Sequence, residues 1–144
     1  MNAPFLPELR HSRRRAIEVE FLTERYHRAF DEEAATLAAL AALAGATELA
    51  AAVDKLRLLL ERHERLQEQR LFPAYEHGAS LDAALFEAWM SDCAAISDAT
   101  AALRDVCRAS SQTRLCARTL HFAFEVDSHL VDELEVFAEW AGRA

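Results

Sequence analysis

With 144 residues, 52% of them hydrophobic, the chain has the size of one ordinary domain and enough apolar side chains to build its own core. Its net charge of −8 comes from interspersed acidic and basic residues, which excludes nucleic acid as the main partner, because phosphates need a basic surface. Three Gly and three Pro leave few places to turn, so the elements must be few and long.

The first predicted helix runs from about Arg13 to Ala44, with His27, Phe30, Ala34, Leu37 and Ala41 recurring at three- and four-residue spacing, and Gly45 as its stop. Arg10, His11, Arg13, Arg14 and Arg15 form a basic cluster in what reads as the first turn, where positive charge opposes the macrodipole. It reads as a solvated helix start, with a docking arm for an anionic partner as the alternative. Thr47 is the expected cap of a second helix whose inward face carries Val53, Leu56, Leu59, Leu60 and His63, then Leu71 and Phe72, and which ends at Pro73. A loop follows to Ser80, the expected cap of the third helix. That helix carries the stripe Phe86, Trp89, Met90, Cys93, Ile96 and Leu103, fading near Ala109. Ser110 and Ser111 break the chain again. The fourth helix places Leu115, Phe122, Val126, His129, Glu133, Val136, Phe137 and Trp140 on one face before Gly142.

Nothing alternates with period two, so the expected class is all-α, an up-down-up-down antiparallel four-helix bundle forming a single domain over 1–144 with its core at about 13–141. No stretch approaches the ~20 apolar residues that span a bilayer, and the N-terminus lacks a signal-type apolar core. Cys93, Cys107 and Cys116 are odd in number and sit in helical stretches, as reduced thiols do. A cytoplasmic chain with no membrane partner is expected.

The informative residues are the polar ones inside the apolar stripes. His27, His63, Cys93 and His129 each occupy the inward face of a different helix, where Leu would be ordinary. A buried imidazole without a partner costs about 1–3 kcal/mol, so these positions need mutual hydrogen bonds, water or a metal. Metal is the sharpest option: bundle proteins bind iron or manganese through inward His and Glu at helical spacing, and His129 with Glu133 is such a pair. The pattern alone is weak, since His121 and Glu125 repeat it in the same helix.

The run from Leu60 to Pro73, with His63, Gln67, Glu68 and the ending Leu71-Phe72-Pro73, resembles the second-helix motif His-x-x-x-Glu-Glu-x-x-Leu-Phe-Pro of the hemerythrin-like HHE cation-binding family. Arg25-Tyr26-His27 is similar to the Tyr-His of the first helix in that family's iron-sulfur-centre repair branch. Asp92-Cys93 falls where the family has an acidic residue followed by His, and His129 to Glu133 matches its last motif, with Phe137 near the usual Phe. The resemblance covers roughly residues 13 to 140. It implies a metal site drawn from His27, His63, His129 and Glu133, helped by Asp92, Cys93, Gln67 and Glu68.

Three positions depart from the family pattern. Gln67 stands at the bridging carboxylate, Cys93 at a histidine, and no histidine occurs between Gly45 and His63. A neutral Gln bridges poorly, so one ion is expected rather than two, iron first and zinc or manganese as alternatives. The expected role is iron handling, or sensing of dioxygen or nitric oxide, more binding than enzymatic. No Gly-rich phosphate loop or nucleophile elbow supports a hydrolase or transferase. The contrasting reading is a metal-free bundle that serves as an interaction module or homodimer through Phe and Trp positions near the end of the fourth helix.

Overall fold

The computed structural model describes residues 5–142, with the side chains of 5–12, Glu24 and Arg25 left out of the description. All elements among these residues are helical. Helix α1 (Phe5–Leu22), a π turn (Thr23–His27) and α2 (Arg28–Leu43) follow one another without interruption. So do α3 (Thr47–Leu66), a second π turn (Gln67–Leu71) and the short α4 (Phe72–Glu76). The chain ends in α5 (Ala83–Ala109) and α6 (Thr113–Gly142). No described helix is long and apolar enough to cross a membrane.

Glycine sets both sharp turns between the first three long stretches. Gly45 (φ 71°) and Gly78 (φ 70°) adopt the left-handed region that a Cβ disfavours. Around Gly45 the N–H of Ala46 bonds the carbonyl of Ala41 at 2.9 Å and that of Gly45 bonds Ala42 at 3.1 Å, the paired bonds of a Schellman stop. Gly78 repeats the arrangement, with Ala79 bonded to Ala74 at 3.0 Å and Gly78 to Tyr75 at 3.1 Å.

Packing contacts close a ring: α2 meets α3, α3 meets α5, α5 meets α6, and α6 returns to α2. Along the last seam, residues rising on one side meet residues falling on the other, Tyr26 with Asp132, Phe30 with Phe122 and Glu33 with Arg118. The predicted stripes line the interior. Phe30, Ala34, Leu37, Val53, Leu56, Ile96, Leu103, Phe122 and Val126 are all buried.

Several expectations need correction. The first helix begins at Phe5 rather than Arg13, so the arginines lie beyond its first turn and the macrodipole argument lapses. Arg14 instead pairs with Glu18 one turn on at 3.1 Å, and Arg15 donates to the Glu76 carbonyl at 3.4 Å; Arg10 and His11 lie outside the described side chains. Thr47 is the first residue of α3, not its cap, which is Ala46. The cap of α5 is Asp82, whose Oδ1 accepts the Leu85 N–H at 2.9 Å, not Ser80. Pro73 does not end the second stretch. Where the wide turn passes into α4, the Phe72 N–H reaches back five residues to Gln67, and Pro73 sits in the first turn of α4, where no N–H is required of it. Met90 is 42% exposed, because Trp89 and Asp92 take the inward positions on either side of it. Phe137 and Trp140 are buried, so they offer no docking face; Trp140 Nε1 donates to the Ala79 carbonyl at 2.9 Å.

Leu103→Ala removes a fully buried side chain and is expected to cost about 2–5 kcal/mol in urea denaturation. Met90→Gln is expected to stay within about 0.5 kcal/mol of the wild type.

Candidate metal centre

Two of the polar residues reach the core from widened turns. In the first π turn both Tyr26 and His27 face inward, and around the second both Leu71 and Phe72 do. Each extra residue shifts the register by one. His27 comes from the first turn to meet His129, while Gln67, one turn on from His63 in the same helical stretch, reaches Glu133 of α6 beside it.

Glu133 is the hub. Its Oε2 lies 3.0 Å from His63 Nε2, accepts the Trp89 indole N–H at 3.3 Å and takes a short hydrogen bond from the Gln67 amide. Its Oε1 is in ion-pair contact with His129 Nε2. Complete burial alone would raise this carboxyl, but the charge and hydrogen bonds of His129, then those of His63, hold it well below the usual carboxylate range. It is therefore an anion.

The ligand atoms of His27, His129 and Glu133 all lie within 4.8 Å of one another. Ligands about 2.0–2.2 Å from one ion lie at most about 4.4 Å apart, so a small movement of the side chains would close the three around it. His27 Nε2 and His129 Nδ1 are buried without a hydrogen-bond partner, and the buried His129 Nε2 and Glu133 Oε1 have only each other. Native interiors leave few such groups unexplained, and ion binding is one recognised explanation. The donor set suits a cation. Burial lowers the His27 pKa, outweighing the opposing hydrogen bond that its ring donates to Glu68, and favours the neutral imidazole that a ligand must be. Glu68 Oε1 stands 3.0 Å from His27 Nδ1 on the outer, half-exposed side. A proton held there leaves the Nε2 lone pair aimed inward, the tautomer that metal-bound histidines adopt.

The family model for the hemerythrin HHE cation binding domain matches residues 21–141. The chain belongs to this family. No curated protein and no solved structure matches it. Membership in the HHE cation-binding family, together with the His27, His129 and Glu133 cluster, makes metal binding the family-level property of this core.

The remaining sequence-derived residues of this HHE chain distribute around that cluster. His63 and Gln67 contact Glu133 from the α3 side. Asp92 is engaged by Arg62 at 2.6 Å, at the rim. Cys93 is half-buried. Burial, then the charges of Glu133 and Asp92, push its thiol up to about 12, so in the metal-free chain it is a thiol and not a thiolate. His121 and Glu125, which repeat the His-x-x-x-Glu spacing, form an exposed pair 3.6 Å apart on the surface of α6.

Sequence reasoning missed three participants. Trp89 stacks on His63 with ring centroids 5.9 Å apart and supplies its N–H to Glu133. Tyr26 packs 4.2 Å from the His129 ring and donates to Asp132 at 2.6 Å. Glu64, next to His63, is buried, with Oε1 unpartnered. Only its position beside His63 hinted at it, and an isolated Glu is ordinarily a surface residue.

Burial, then the neighbouring Asp31, push the Glu64 carboxyl up from 4.5 to about 9. Folding therefore takes up a proton between those limits, and metal-free stability declines as pH rises from about 4.5 to about 9. Glu64→Gln does not titrate. Its advantage over the wild type in chemical denaturation of the metal-free protein is expected to be larger at pH near 8 than near 5; equal advantage at both would contradict the assignment.

Proposed function

We propose that this chain is a single-domain, up-down-up-down four-helix bundle that holds one non-haem metal ion among His27, His129 and Glu133, with His63 as a fourth ligand. Iron is the favoured ion, with zinc and manganese as alternatives. The observation that carries this reading is the convergence of buried ligand atoms from α6 and the first π turn on one point, His27 Nε2 without a partner and His129 Nε2 and Glu133 Oε1 with only each other. Short connections and the ring of packing contacts support the bundle topology.

Three features favour one ion over two. Gln67 is neutral and already donates its amide to Glu133. Trp89, whose N–H cannot ligate, occupies the α5 side of the same carboxylate. Cys93 on α5 is a neutral thiol in the metal-free chain, not the carboxylate or imidazole a second ion would favour. A bound ion would supply Lewis acidity or a redox couple and an open position for dioxygen or nitric oxide, in keeping with iron handling or gas sensing. The chain's own residues prepare that position. Glu68 orients His27, the donors from Gln67 and Trp89 fix the Glu133 carboxylate, and Tyr26, Phe30, Phe72 and Trp89 wall the imidazoles from water. The role is binding more than catalysis.

A second reading is a metal-free helical module, supported by the donors that already satisfy Glu133 Oε2 and by exposed Phe124, Val131 and Leu134 on the outside of α6, which would suit a homodimer. Elemental analysis of protein from iron- and zinc-supplemented medium separates the two. About one ion per chain is expected, lost in His129→Ala and in Glu133→Ala, with a chelator lowering the Tm of the wild type. A folded wild-type chain free of metal, with a Tm indifferent to chelator, would leave the interaction module.

A further inference from the structure

Cys107 and Cys116 take no part in the core centre. Cys107 is the last buried residue of α5 and Cys116 the first of α6, each 6% exposed and free of any disulfide. The two helices run antiparallel, with Trp89 set against Glu133 and Thr100 donating to Asp127 at 3.0 Å. Eighteen residues on from Trp89 is Cys107, and seventeen back from Glu133 is Cys116, so the register of the seam brings both cysteines to one level. Only residues 110–112 join the helices beyond them. The Ser110 N–H bonds the Cys107 carbonyl at 3.2 Å and the Cys116 N–H bonds the Gln112 carbonyl at 2.8 Å, which holds both backbones beside that connection. The side chains meet there, the Cys107 S–H donating to the Cys116 sulfur.

A single buried cysteine is a small hydrophobe that Ala or Val could replace. Two in contact across a tight hairpin can do more, because a disulfide needs a close approach of the two backbones, and antiparallel helices come nearest to it beside a short connection. We propose that Cys107 and Cys116 form a reversible oxidation site that reduces a hydroperoxide to an alcohol and water and becomes a disulfide across the α5–α6 hairpin. Cys116 attacks first. Its proton passes to solvent, its sulfur bonds the terminal peroxide oxygen, the O–O bond breaks, and the departing alkoxide takes up a proton to leave as the alcohol. The Cys107 sulfur then attacks the resulting Cys116 sulfenic acid, the S–OH bond breaks, and the Cys107 proton leaves with the hydroxide as water. Two thiols together lose two electrons and one peroxide bond gains them. Burial, then the hydrogen bond and charge of Cys116, push the Cys107 thiol up to about 12, so Cys107 keeps its proton for this second step. The second attack is intramolecular, which favours the disulfide over further oxidation of the sulfenic acid. Dithiol reductants reverse it, as expected of a transient disulfide. Thirteen residues separate Cys116 from His129, about 20 Å along α6, so the site stands independently of the metal reading.

Thiol mapping tests it. Full-length protein freed of metal by chelator is treated with tert-butyl hydroperoxide, blocked with iodoacetamide and cut with trypsin, which separates residues 105–108 from 115–118. The expected product from the folded wild type is a disulfide joining those two peptides, with Cys93 alkylated, and dithiothreitol before blocking restores all three thiols. Cys107→Ser is expected to stop at a Cys116 sulfenic acid that dimedone traps, and Cys116→Ser to react about tenfold or more slowly. Three surviving thiols, a link that forms only after urea has unfolded the chain, or pairing that involves Cys93 as often as its neighbours would overturn the site. Dimedone trapped on Cys107 in Cys116→Ser as fast as on Cys116 in Cys107→Ser would overturn the order of attack. Should a serine variant misfold by circular dichroism, the wild-type map decides alone, since it needs no substitution.

Discussion

A carboxylate without solvent access lies at the centre of this molecule, and most of the surrounding structure follows from keeping it charged. Desolvating an ion costs several kcal/mol unless partners surround it. Glu133 draws those partners from three directions: His63 and Gln67 from the α3 side, Trp89 from α5, and His129 one turn away on its own helix. The helices that supply them must therefore meet at one level, and the apolar stripes above and below supply the contacts that hold them there. The polar centre sets the register, and Leu37, Leu56, Ile96, Leu103 and Val126 supply the burial that makes this register stable.

The periodic features of the fold were plain in the sequence. Apolar spacing in all long stretches identified the inward faces, and Gly45 was recognisable as a stop because only a residue without a Cβ takes that turn easily. Caps were less legible. Ser80 and Asp82 are both good cap residues two positions apart, and the choice between them depends on where the backbone bends after Gly78. The π turns were invisible to a 3.6-residue template, since the inserted residue only appears as two consecutive inward positions once the neighbouring helices are in place. Pro73 misled for the same reason: its sequence signal is a stop, but the wide turn before it lets the helix continue.

The centre itself was half legible. His27, His63, His129 and Glu133 stood out as polar residues in apolar stripes, and the structure draws His27, His129 and Glu133 together. Trp89 could not be distinguished from an ordinary core aromatic, because the use of its N–H depends on which acceptor faces it across the bundle. Asp92 and Cys93 attracted attention by their place in a motif. In space Asp92 is held by Arg62 at the rim, and Cys93 remains a neutral thiol beside the anion. The α5 wall thus contributes an indole donor where a ligand-rich helix would contribute imidazoles. Donor and lone pair are opposite in sign, so Trp89 steadies the carboxylate without itself being able to ligate.

The two π turns make the chain's tolerance of length uneven. Each absorbs a single surplus residue, which on a regular helix would turn the segment beyond it by about 100°. Removing one residue near Glu24 or Gln69 would let the turn close to a regular spiral with both flanking stripes still facing the core. The same loss within a regular stretch of α2 or α3 has no slack to draw on, and the segment beyond it would rotate by that angle, turning part of its apolar stripe toward water and its polar flank toward the core. A codon lost at these turns costs local contacts, while one lost a few residues away rewrites which side of the helix is inside.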